Sequence, residues 1–266
     1  MISPKTNIKN GTLWKAPKRK QDEIFLDLNE NKEFNEEIFN KFVSSIELTD
    51  ITNYPDYSEF LNTLSSSLNV KKSELLATNG ADQAIEIILR TYCKFKKIIL
   101  PTPHFTYYQQ VCTIEDISMI KIPYNDFKFP CNEILEKINS SVDGILLCNP
   151  SNPLSTSIPE QEIQQIIQKA NKHNCFVLID EVYYDFLESS SINWINRSKN
   201  LIIIRSFSKG SGMAGLRLGY IISDESNIAE MRKVRGPWDV NGFSIKLAEM
   251  LIQKNPLPEL SLIHIS

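Results

Sequence analysis

Apolar residues follow two different spacings along the chain, and the spacings divide it into strands and helices. Short, strongly apolar runs of strand length fall at residues 97–100, 145–148, 175–179, 201–206 and 219–222. Between them the spacing is helical. Ile38, Phe39, Phe42 and Val43 mark a helix over 36–45, and Phe60, Leu61, Leu64 and Leu68 share one face of a helix over 58–68. Further helices are expected at 81–92, 134–138, 159–173 and 227–235. Pro159 suits a first helical turn, and Glu160 and Glu162 suit that helix's positive end. Asn53-Tyr54-Pro55-Asp56 is a turn between the first two helices, while residues 1–35 lack sustained periodicity and read as an extended N-terminal arm. Strands alternating with helices of this length predict an α/β fold with a mostly parallel sheet and helices on both faces.

Composition narrows the class. At 266 residues, 42% of them apolar, the chain can fill one large domain or two small ones. A formal net charge of −3 leaves no electrostatic footprint for nucleic acid. The one basic cluster, Lys15, Lys18, Arg19 and Lys20, reads as a solvated arm. The 5 cysteines are scattered and several lie in apolar runs, as reduced thiols of a cytoplasmic protein would. No C-x-x-C pair exists and the 3 histidines are far apart, so no metal site is expected. The start has no signal-peptide core and no apolar stretch reaches membrane-span length. A soluble cytoplasmic protein without nucleic-acid or membrane partners is the expectation.

Three of the apolar runs deliver chemistry. Asn152 follows Gly144–Pro150, Asp180 ends Cys175–Asp180, and Lys209 follows Leu201–Ser208. In an open α/β sheet, ligands bind beyond the carboxyl ends of the strands. An amide, a carboxylate and an amine at one such edge fit pyridoxal 5′-phosphate best. A neutral lysine forms an imine with an aldehyde. Lys209 is placed for that, with Ser206 and Ser208 beside it and 4 of the chain's 9 glycines between Gly210 and Gly219, where backbone could approach a phosphate. Arg217 offers that phosphate a bidentate partner. Asp180 could pair with a protonated pyridine nitrogen, and Tyr183 and Asn152 could reach the phenolic oxygen. Simpler readings stay open for each residue alone: Asp180 as a helix N-cap, Asn152 as a turn residue, Lys209 in a plain surface turn. Thr78-Asn79-Gly80-Ala81-Asp82 opens a helix, whose free amides make an anion site. Phe105 could stack on a flat ring or pack in the core.

Taken together, these segments resemble the class I/II aminotransferases. Ser206-Phe207-Ser208-Lys209 through Gly215-Leu216-Arg217-Leu218-Gly219-Tyr220 looks like the family's Schiff-base lysine signature. Asn149-Pro150-Ser151-Asn152-Pro153 and Asp180-Glu181-Val182-Tyr183 are similar to its other cofactor motifs, in the same order. Leu28-Asn29-Glu30-Asn31, Asn53-Tyr54-Pro55-Asp56 and Pro237-Trp238-Asp239-Val240-Asn241 resemble the histidinol-phosphate aminotransferase branch, which includes threonine-phosphate decarboxylase.

The resemblance implies a three-layer α/β/α large domain of the aspartate-aminotransferase type over 36–255, behind the 1–35 arm. It implies that Lys209 carries the cofactor covalently and shuttles a proton to and from the substrate Cα. It places Asp180 at the pyridinium nitrogen, Asn152 and Tyr183 at O3′, and Phe105 on the ring. Gly80, Ala81 and Asp82 amides with Ser206, Ser208 and Arg217 would hold the phosphate, with Tyr54 reaching across from the partner of a homodimer. The substrates implied are small amino and 2-oxo acids. A decarboxylase on the same scaffold, or a non-catalytic cofactor-binding fragment, is the alternative. Ser155 stands where the family usually has glycine, and Lys32 where it usually has proline. A small C-terminal domain of the family is expected to be missing, and 256–266 reads as a non-native tail.

Overall fold

The apolar runs become a seven-stranded sheet in the computed structural model, which describes residues 2–9, 11, 18, 27–187 and 189–254. The strands are β1 (Leu75–Asn79), β2 (Lys97–Thr102), β3 (Ser118–Pro123), β4 (Gly144–Cys148), β5 (Phe176–Asp180), β6 (Leu201–Ser206) and β7 (Leu218–Ser223). They lie in the order β1-β7-β6-β5-β4-β2-β3. Only β7 runs antiparallel to its neighbours β1 and β6, while the other neighbouring pairs are parallel. Six strands therefore end at one edge, as the expected mostly parallel sheet requires.

The helices are α1 (Thr6–Lys9), α2 (Glu36–Ser44), α3 (Thr49–Thr52), α4 (Ser58–Leu68), α5 (Gly80–Tyr92), α6 (Thr106–Ile114), α7 (Cys131–Lys137), α8 (Glu160–Lys172), α9 (Glu225–Val234) and α10 (Gly242–Lys254). Local chemistry sets their ends. The Asn35 side chain accepts from the Ile38 N–H to start α2, with Glu36 and Glu37 in its first turn. Asn69 turns into the left-handed region, φ 53°, to stop α4. In α8 acidic residues open the helix and Lys169 and Lys172 close it, while Ile163, Ile166, Ile167 and Ala170 form the buried stripe.

Alternation along the strands divides the core in two. Ile145, Leu147, Val177, Ile179 and Ile203 face one layer, built on α4, α7, α8 and α10 through Phe60, Leu64, Ile134, Ile166 and Ile245. Leu146, Leu178, Ile202 and Ile204 face the other, built on α5, α6 and α9 through Ile85, Ile88, Tyr108, Val111 and Met231. The result is three layers, α/β/α.

Some elements depart from the sequence expectation. The arm is not wholly extended: α1 is a helical turn whose Asn7 Nδ2 donates to the Thr113 and Ile114 carbonyls at 3.1 and 2.7 Å, satisfying the open end of α6. β1, β3, α6 and α10 were not anticipated, and β2 continues through Pro101 to Thr102. Lys15, Arg19 and Lys20 of the basic cluster lie outside the described residues, as do 256–266. The five cysteines are free thiols. Among the described residues there is no cluster of metal-ligating side chains, and no helix is long and apolar enough to cross a membrane.

Candidate active site

Because β7 runs against β6, residues 207–217 leave the sheet edge and return to it. The register Asn79↔Leu218 and Ser206↔Gly219 inserts the start of β7 between the ends of β1 and β6. The fit is tight. A Cβ on Gly219 would fall 2.7 Å from the Gly80 carbonyl carbon and 2.9 Å from the Ala81 nitrogen. A Cβ on Gly80, whose φ is +70°, would fall 2.7 Å from Arg217 Nη2.

Arg217 donates to Asp82 Oδ2 at 2.8 Å and to Ser208 Oγ at 3.4 Å. Ser206 Oγ accepts from the Ser208 N–H at 3.0 Å. Gly80, Ala81 and Asp82 form the first turn of α5, whose amides lack intrahelical partners and carry the helix's positive end. Burial pushes the Asp82 carboxyl up, against the pull of Arg217 and Lys209.

A second group stands two strands across the sheet. Asp180 closes β5 and is 5% exposed. Its Oδ1 accepts from the Val182 N–H at 3.0 Å, and its Oδ2 accepts from the Tyr108 hydroxyl. Burial pushes its carboxyl up to about 6, while both hydrogen bonds hold it down. The Tyr183 hydroxyl accepts from Asn152 Nδ2 at 3.2 Å and from Asn29 Nδ2 at 3.0 Å.

Lys209 joins the two groups. Its Nζ lies 5.7 Å from the centroid of the Tyr183 ring and donates to the Leu28 carbonyl at 2.6 Å. Burial lowers the amine's pKa and Arg217 acts in the same direction, with Glu30, Asp82 and Asp180 opposing. A lowered pKa enlarges the neutral fraction near pH 7, which is the form that attacks a carbonyl.

Two expected residues sit apart. Phe105 is at the start of α6, 36% exposed, with its ring edge-on to Tyr108 at 5.8 Å. Tyr54 is 76% exposed and stacks on Trp238 at 4.3 Å, not on the groups above. A chain of contacts leads back from there: Asp239 accepts from Gln83 Nε2 at 2.7 Å, and Gln83 Oε1 accepts from the Asn79 N–H at 2.7 Å.

Sequence reasoning missed Tyr108 and the contact that Asn29 makes with Tyr183. Tyr108 had no helical signal, since α6 itself was not read from the sequence. The Asn29 contact spans 154 positions and had none.

Ser155, in the turn beside Asn152, has φ +55°. A left-handed non-glycine residue costs about 1–2 kcal/mol, partly offset because glycine loosens the unfolded chain by roughly 0.5–1 kcal/mol. Ser155→Gly should therefore stabilise the fold by about 0.5 kcal/mol, a rise of roughly 1–2 °C in Tm. A lower Tm in thermal unfolding would show that the serine side chain outweighs its backbone strain.

Comparison with known proteins bears on the family and the fold. The family model "Aminotransferase class I and II" matches residues 22–255. Histidinol-phosphate aminotransferase of Clostridium novyi is 31% identical over 237 residues, covering 86% of this chain and 65% of that protein. The chain thus spans a little under two thirds of that relative's length. The structure of histidinol-phosphate aminotransferase from Sinorhizobium meliloti in complex with pyridoxal-5′-phosphate superposes with a TM-score of 0.78 at 18% identity, covering 85% of this chain and 63% of that one. L-threonine-O-3-phosphate decarboxylase from Porphyromonas gingivalis gives 0.73 at 24% identity, covering 86% and 68%. The fold, the order of the motifs and the extent of the match make this chain a member of the class I and II aminotransferase family.

Proposed function

We propose that the chain binds pyridoxal 5′-phosphate through Lys209 and forms the cofactor-bearing part of an aminotransferase resembling the histidinol-phosphate branch. One observation carries the reading: a half-buried amine of lowered pKa, over Tyr183, between the buried Asp180 carboxylate and the Arg217–Gly80 cradle. The residues fit such a group. Gly80 and Gly219 let the start of α5, β7 and Arg217 meet where a Cβ would collide, which sets Arg217 and Ser208 beside the free amides of α5. Asp180 is buried, held by Tyr108 and Val182, and suited to an aromatic N–H⁺.

Bound there, the cofactor would supply an electron sink for the substrate's Cα. The chain's own residues would do the rest. The amides of Gly80, Ala81 and Asp82, with Ser206, Ser208 and Arg217, would hold the phosphate. Asn152 and Tyr183 would hold the ring hydroxyl, and Phe105 would cover one face. Lys209 Nζ would carry the proton to and from the substrate Cα. Small amino and 2-oxo acids are the proposed substrates. A decarboxylase similar to the Porphyromonas gingivalis enzyme would instead release carbon dioxide without needing a 2-oxo acid, so product analysis with and without a 2-oxo acid separates the two.

The site is completed, in this reading, by Tyr54 from the second subunit of a homodimer. The exposure of Tyr54, stacked on Trp238 at the surface, supports it. Mixing Tyr54→Phe subunits with Lys209→Ala subunits should raise activity above the sum of the two variants alone. No gain on mixing, or an active monomer on a sizing column, would overturn that arrangement.

A further inference from the structure

The residue after Lys209 is pressed against a carboxylate to which the proposed cofactor site assigns no role. A Cβ on Gly210 would fall 1.9 Å from Asp185 Oδ2 and 2.5 Å from its carboxyl carbon. The carboxylate therefore lies directly on the Gly210 backbone, where only glycine leaves room. From the other side, Asn31 Nδ2 donates to the Gly210 carbonyl at 3.0 Å. The Gly212 N–H closes the turn on the Lys209 carbonyl at 3.1 Å. A Cβ on Gly212 would meet the Phe34 ring at 3.2 Å and the Asn31 carbonyl at 3.5 Å. The Lys209–Gly212 turn is thus gripped between 31–34 and Asp185.

Asp185 is unusual in its own right. Both its oxygens are hidden from solvent, and neither completes a well-aligned hydrogen bond within the described residues. A carboxylate kept in that condition is costly, and a fold retains one only for a reason. Asp185 sits in the short turn Tyr184–Phe186, directly after Tyr183, whose ring Lys209 overlies. It therefore ties together the two loops that present Tyr183 and Lys209.

We propose that Asp185 is a positioning residue for Lys209: its carboxylate seats the Gly210 backbone and so fixes where the neighbouring amine stands at the sheet edge. The inference rests on reading Lys209 as the reactive amine. The groups facing Asp185 are Tyr184 on its own turn, Arg205 on β6, Tyr220 on β7 and the Gly210 N–H. Arg205 is already engaged by Glu181 at 2.9 Å, so it neutralises Asp185 only partly. Burial pushes the Asp185 carboxyl up to about 6, with Tyr184, Arg205 and Gly210 pulling it back. The seat consequently changes charge close to neutral pH.

The test is trace acylation of the cofactor-free chain across pH 5–9, with the modification of each lysine read by peptide mass spectrometry. In the wild type, Lys209 reactivity should carry a step near pH 6 beyond its own titration. Asp185→Asn, which keeps the shape and removes the charge, should diminish that step, leaving the part contributed by Asp180, which is also raised to about 6 and acts on Lys209. It should also change Lys209 reactivity at pH 8 by about threefold, the effect of a half-unit shift in the amine, while exposed Lys172 is unaffected. An Asp185→Asn profile superimposable on wild type would overturn the proposal. Should that variant fail to fold by circular dichroism, Gly210→Ala decides: its Cβ must displace the carboxylate, and unaltered Lys209 reactivity there overturns the proposal equally. Since no cofactor is present, failure of Lys209 to take up pyridoxal phosphate in a separate incubation would count against the cofactor reading and leave this result standing.

Discussion

Asp180→Asn should leave pyridoxal phosphate bound and lower turnover of the assembled enzyme by about 100-fold or more, the scale on which a removed electrostatic partner acts. An amide cannot hold the ring nitrogen protonated, and an unprotonated ring withdraws electrons poorly. The same change should stabilise the cofactor-free chain. Asp180 is raised from 3.8 to about 6 in the fold, so the folded state binds that proton more tightly than the unfolded state does. Its contribution is present at low pH and lost as pH rises through about 6. A shift of about two units is worth roughly 3 kcal/mol, or several degrees in Tm. Asp180→Asn should therefore melt higher than wild type at pH 8 and close to it at pH 4. Turnover within about tenfold of wild type would mean that Asp180 serves as a cap, and no Tm gain at pH 8 would mean that its charge is not strained.

Glu181→Ala should be among the most destabilising single changes in the chain. The Glu181 and Arg205 side chains are 1% and 3% exposed. Glu181 Oε2 accepts from Arg205 Nε and Nη2 at 3.0 and 2.9 Å and from Ser190 Oγ at 2.8 Å. Its Oε1 accepts from the Ser191 N–H at 2.7 Å, and the Arg205 guanidinium lies 3.9 Å over the Tyr184 ring. Removing the carboxylate leaves a buried cation uncompensated, which costs about 3–5 kcal/mol. Replacing both partners together, Glu181→Leu with Arg205→Met, should recover part of that loss, because the pair's own charges leave together while the buried Asp185 carboxylate loses Arg205 and the Ser191 N–H loses its acceptor. Urea unfolding measures both. A single-variant loss below about 1 kcal/mol would contradict the isolation of this pair.

Much of this was legible in the sequence because the sheet centre is buried on both faces. β4, β5 and β6 are near-continuous apolar runs for that reason, and their boundaries hold within a residue or two. β3 was hidden because it is an edge strand, with only Ile122 buried. α6 was hidden behind Pro101, Pro103 and a cluster of aromatics that gave no clear helical stripe. At the site, Asn152, Asp180, Tyr183, Lys209 and Arg217 were readable because each lies within a few residues of a strand end or start, so topology alone brings them together. Tyr108, Asn29, Asn31 and Asp185 act through contacts between segments far apart in the chain or through backbone packing. Spacing carries no trace of such contacts. The antiparallel β7, which wedges Arg217 beside Gly80, was likewise invisible until register was known.

The attachment of the cofactor to Lys209 is the claim on which the functional reading depends. Incubating the chain with pyridoxal phosphate, reducing with borohydride and mapping the modified peptide by mass spectrometry tests it directly. The pyridoxyl mass should appear on the peptide containing Lys209 and vanish in Lys209→Ala. A stable label on any other lysine, with Lys209 unmodified, would contradict the account.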